Sequence, residues 1–178
     1  MINVLKHKGK RTIGQGLVEL ALTLPIFLLV VYGIFELGRA IFMYSAVLNA
    51  SRDAARYAAA ADGVQANDTA YLEVYKDCDG IRDRAKTVSS FVDLSANDAI
   101  LISYLRYDPL TDTDEPIESC EVLNSTGETL THGSRVEVTV TSMFNPIVPL
   151  VNFGIIPISS TTTRSIVTGV NIWDDGSG

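Results

Sequence analysis

The feature that most constrains this chain is a charge-free run over residues 20–35, LALTLPIFLLVVYGIF, closed at its two ends by Glu19 and Glu36. As an α-helix it spans about 24 Å at 1.5 Å per residue, most of a bilayer's hydrocarbon core, and its flanks extend it. Carboxylates are costly inside hydrocarbon, so the two glutamates must sit at the boundaries or find partners. Pro25 lies within the run and frees the Ala21 carbonyl, which predicts a local kink or loosening. Before the run, Lys6, Lys8, Lys10 and Arg11 stand in residues 1–14 without an acid. A basic flank of this kind marks the cytoplasmic side. The expected topology is a single-pass protein of the cell (inner) membrane. Residues 1–14 form a basic cytoplasmic leader, and the chain beyond Arg39 is extracytoplasmic. No small-x-small site follows the run promptly and no twin arginine precedes it, so a retained helix is expected over a cleaved secretory signal.

One long helix is predicted over residues 15–61, with a membrane half at about 17–38 and an amphipathic half at 39–61. In the second half Met43, Val47, Ala50, Ala54, Tyr57 and Ala61 recur at spacings of three and four, an apolar stripe broken by Arg39, Arg52, Asp53 and Arg56. Asp62-Gly63 is a suitable stop. A head over residues 62–178 follows. It begins with a polar connection to Gly80 and a short helix carrying Ile81, Ala85, Val88 and Val92. A strand is expected at residues 99–107, then an acidic surface loop at 108–133 with a small hairpin about Asn124 to Gly127. RVEVTVT, residues 135–141, alternates as a half-buried strand with Val136, Val138 and Val140 on one side. MFNPIVPLVNFGIIP is too broken by proline for a second membrane helix. It reads as an apolar cover over the core or, alternatively, as a segment at the lipid headgroups. Residues 159–170 read as the last strand. The fold class is α+β: a long N-terminal transmembrane and spine helix packed on a small antiparallel sheet.

Chemistry is sparse. A net charge of −7 argues against nucleic acid, which needs a basic face. Neither histidine, His7 or His132, stands in a catalytic motif, and no nucleophile elbow, phosphate loop or C-x-x-C is present. Asp112, Asp114 and Glu115 lack the glycine and terminal glutamate of a calcium loop. No enzyme activity, metal, cofactor or small-molecule substrate is expected. Cys78 and Cys120 are the two cysteines. They form either a disulfide, which an extracytoplasmic head favours, or two buried free thiols. A bridge would stabilise the fold by about 4 kcal/mol on the chain-entropy model. Glu36 and Arg39, three apart on a helix, can pair where the helix leaves the membrane, with Tyr32 and Tyr44 as interfacial anchors.

The N-terminal constellation of basic leader, Gly14, Gln15 and Glu19 before an apolar helix resembles the class III signal of type IV pilin-like proteins. GLVELALTLPIFLLVVYGIFELGRAIFMYSAVLNASRDAARYAA narrows the likeness: it is similar to the TadE/TadF pseudopilins of Flp, or tight-adherence, pilus systems. The resemblance is close over about a quarter of the chain, and RVEVTVTSMFNPIVPLV and the TTTRSIVTG end resemble it more weakly. It implies cleavage by a membrane-embedded prepilin peptidase between Gly14 and Gln15, which makes Glu19 the fifth mature residue. Cleavage after Gly16 would make it the third, a poorer fit. It also implies that Glu19 meets the free amine of a neighbouring subunit during assembly. Leu20 departs from the tyrosine usual there in small major pilins, and the large head points to a minor pseudopilin. The expected partners are membrane lipid, pilus or pseudopilin subunits and the peptidase. Two other readings stay open: a structural filament subunit polymerising through the helix, and a membrane-tethered extracytoplasmic binding module or enzyme.

Overall fold

In a computed structural model of the chain, the described residues are 13–60, 63–67, 70–89, 92–96, 98–108, 110–127, 130, 133–147 and 154–166. Helix α1, Ile13–Ala58, runs unbroken through Pro25. It ends before residue 61. The Ala60 N–H reaches back only three residues, to the Tyr57 carbonyl at 3.0 Å, and this 3₁₀-type bond closes the last turn. Gly63 is therefore not the helix stop but the start of β1, Gly63–Asn67, which pairs antiparallel with β2, Ala70–Glu73. The expected polar connection is thus a two-stranded ribbon, followed by a 3₁₀ turn at Val74–Lys76.

Helix α2, Cys78–Val88, starts ahead of Gly80 because Asp77 caps it: the Asp77 carboxylate accepts from the Gly80 N–H at 3.0 Å. Ile81 and Ala85 are buried as the spacing requires, whereas Val88 is exposed and Val92 lies beyond the helix end. The larger sheet has the order β4-β3-β5-β6, all antiparallel. It comprises β3, Ile100–Asp108; β4, Thr113–Ser119; β5, Arg135–Phe144; and β6, Ile156–Ser165. The acidic loop is corrected here. Residues 113–119 are an edge strand, exposed as a surface excursion should be, and the edge tolerates Pro116 and its missing N–H. The expected hairpin at Asn124 to Gly127 is the end of helix α3, Cys120–Thr126, with Gly127 as its left-handed cap at φ 69°. His132 and residues 167–178 lie outside the described residues.

The second half of α1 lies along β5 and β6. Val47, Ala50, Ala54, Ala55 and Ala58 are buried against Ile81, Tyr104, Val136, Val138 and Val140. Small side chains let the helix approach the sheet closely. Ser51, fully buried, sits 3.0 Å from the hydroxyls of both Ser160 and Thr162. A disulfide joins Cys78 to Cys120 and ties α2 to α3 across 42 residues of sequence. Asn124 donates to the Lys76 carbonyl at 2.7 Å beside it.

Candidate functional site

The first half of α1 makes a bare stem. Gly14–Ala58 contains the one described helix long and apolar enough to cross a membrane, and its most apolar window is uncovered by the rest of the molecule. Gly14 and Gln15 lie in the first turn. Glycines at 14 and 16 raise the entropy cost of keeping it helical. Glu19 is exposed one turn further on, and its carboxylate has no ion-pair partner among the described residues. Sixteen residues lie between Glu19 and Glu36, about 24 Å of helix, so the two carboxylates bracket a hydrocarbon-core length.

Glu36 and Arg39 form an ion pair at 3.0 Å, and the Glu36 side chain is only 14% exposed. The structure adds contacts that no local pattern announces. Arg39 also donates to the Asn145 carbonyl, and its guanidinium stacks 4.6 Å from the Phe144 ring centroid. The Tyr32 hydroxyl donates to the Ile147 carbonyl at 2.6 Å. The chain leaving β5 is therefore fastened to the stem at two heights. Tyr44, the other expected anchor, is exposed. MFNPIVPLVNFGIIP, residues 143–157, reads from the sequence as a cover over the core or as a segment at the lipid headgroups; residues 148–153 lie outside the described residues, and of the rest Phe144 is buried while Ile147 points outward, 61% exposed. The head's β5 and β6 ends thus gather around the helix exit, because Phe144 pairs with Ile156 while Ser160 and Thr162 reach Ser51 higher up.

Away from this boundary, an open groove of about 610 Å³ is lined by Arg52, Arg56, Ala59, Thr162, Thr163, Arg164 and Ser165. Guanidiniums and hydroxyls line it without a carboxylate or imidazole to act as base. No group of three or more His, Cys, Asp or Glu is placed to hold a metal among the described residues.

Stem and head define a class: a protein with a long apolar N-terminal helix, one small α+β head and a set of polar contacts where the two meet. Residues 14–56 match the model of the family described as TadE-like protein. The match covers most of α1 and begins at Gly14, so the chain carries a TadE-like segment, of a pilus-associated family that is not an enzyme family. Comparison with curated proteins and with solved structures gives no match.

Proposed function

We propose that the chain is a TadE-like minor pseudopilin that takes part in assembling a Flp/Tad-type pilus or a related secretion apparatus. The observation that carries this reading is the register of the family match: it begins at Gly14, five residues before Glu19, on a stem with no described head residue packed against its first turns. In this reading a prepilin peptidase cuts between Gly14 and Gln15 in a first turn that is cheap to unwind. The new amine then lies one helical turn from Glu19, near the cytoplasmic face. Across neighbouring subunits the two charges neutralise each other, and losing one strands the other at the membrane boundary. The basic leader holds the N-terminus in the cytoplasm and the head outside. Stem-to-stem packing then sets axial register, while the head projects from the assembly.

Intact-mass measurement on protein taken from native membranes tests the processing step. A mature form starting at Gln15 is expected, and a population that keeps Met1 sinks it. Glu19→Ala tests the pairing: membrane insertion is expected to persist while incorporation into the assembly is lost.

A further inference from the structure

The segment that joins β5 to β6 is uncharged and apolar. From residue 138 to residue 163 there is no charged side chain, and residues 145–155 read NPIVPLVNFGI. Met143, Ile147, Ile155 and Ile156 are 59%, 61%, 65% and 44% exposed, all at the end of the head beside the helix exit. The head's other exposed large apolar residues, Val88, Leu101, Tyr107, Leu110 and Val122, sit on strands, turns and helices further from that end and need no special account.

We infer that this rim is a lipid-seated surface: the side chains of Met143, Ile147 and Ile155 enter the interfacial layer of the bilayer that α1 crosses. Depth is the first reason. Ile147 is held by Tyr32, seven residues or about 10 Å below Arg39 along the helix, and Tyr32 lies inside the charge-free run. A head standing clear of the membrane would meet the helix only at or beyond Arg39.

Backbone chemistry is the second reason. Irregular chain near hydrocarbon is tolerated only where its polar groups find partners within the protein. Here the Asn145 carbonyl accepts from Arg39 and the Ile147 carbonyl from Tyr32, while Pro146 has no N–H to satisfy. Continuity with the stem decides the occupant. The rim lies level with the apolar helix of its own chain, so lipid meets it in a single copy and no partner protein is needed. The inference requires α1 to cross a bilayer. It does not require processing at Gly14 or a pilus.

The test uses the full chain, one copy per phosphatidylcholine nanodisc. Single cysteines are introduced at Ile147, Ile155 and, as a water-facing control, Leu110, and each is spin-labelled with the native disulfide intact. Labels at 147 and 155 are expected to relax more with oxygen than with a water-soluble nickel chelate, the reverse of the label at 110. Matching behaviour at all three sites overturns the inference. Protection of 147 and 155 from both reagents overturns it too, because that outcome puts protein there. The unsubstituted chain gives a check free of any folding defect. A photoactivatable phosphatidylcholine should label residues 143–147 or 155–156 as well as the stem, and labelling confined to the stem counts against the rim. Failure here would leave the Gln15 mass test untouched.

Discussion

Arg39 makes three contacts that a lysine cannot reproduce together: the ion pair to Glu36, the bond to the Asn145 carbonyl, and the stack on Phe144. Arg39→Lys keeps the charge but loses the planar fork. The thermal midpoint of the head is then expected to fall by a few degrees, about 1 kcal/mol of lost stability, with Glu36→Gln changing it less. Thermal unfolding in lipid discs decides, and an unchanged midpoint in the lysine variant rejects the clamp.

Two tyrosines of the head set a pH limit at the same scale. Burial, then the hydrogen bond from its hydroxyl to Glu73, pushes Tyr75 up to about 12. Burial, then proximity to Tyr75, raises Tyr104 as well; its hydroxyl donates to the Tyr75 carbonyl. Both folded-state phenols hold their protons above the ordinary value of 10, where unfolded tyrosines release theirs. Their contribution is therefore complete below pH 10 and lost as pH rises toward 12. Denaturation midpoints should be flat up to pH 10 on this account and fall above it. Tyr75→Phe should make that fall shallower.

The small helices show how elements are held where the core is thin. Asp77 caps α2 through Gly80 and also accepts from the Tyr57 hydroxyl at 2.9 Å, joining α2 to the spine. A Cβ at position 80 would lie 1.9 Å from the Asp77 Oδ2 and 2.9 Å from the Tyr57 oxygen. Alanine usually raises helix propensity by up to about 1 kcal/mol over glycine. Here it must expel the cap and its bond to Tyr57, two interactions worth about 1 kcal/mol each, so Gly80→Ala is expected to be net destabilising. A thermal midpoint lowered by a few degrees is the predicted result, and a raised one would show that Asp77 is not the cap in solution.

Elements with a buried face are legible in the sequence: the stripe on α1, the alternation of β5, and β3. Those without a continuous apolar face in their sequence are not. TDEPIES carries no apolar alternation because β4 is an edge strand, and nothing in GVQAN and AYLE distinguishes a short ribbon from a polar connection. At the boundary, Glu36 with Arg39 could be read because three residues is one helical turn. The bonds from Tyr32 to Ile147 and from Arg39 to Asn145 span 115 and 106 residues, and local pattern carries no record of such pairs.

At the scale of the whole molecule, one helix belongs to two environments. Beyond Arg39, α1 is held by the sheet, α2 and the buried serine at position 51, so its helical bonds there depend on the head's core. Below Gly38 no described residue of the head covers it except the rim near Tyr32. In a bilayer that lower half keeps its helix for a different reason: unmade backbone bonds cannot go to water there. Unfolding of the full chain in lipid discs should therefore not be a single transition. Urea is expected to release β5, β6 and residues 43–58 together, because they share one core, while residues 17–35 stay protected beyond that midpoint. Hydrogen exchange followed by mass spectrometry separates the two halves along the same helix. The break in protection is predicted between Tyr32 and Met43, with Arg39 at its centre. Uniform loss along α1 would mean that the stem is held by the head and not by lipid. That outcome would remove the membrane-crossing role from the helix and the lipid-seated rim along with it.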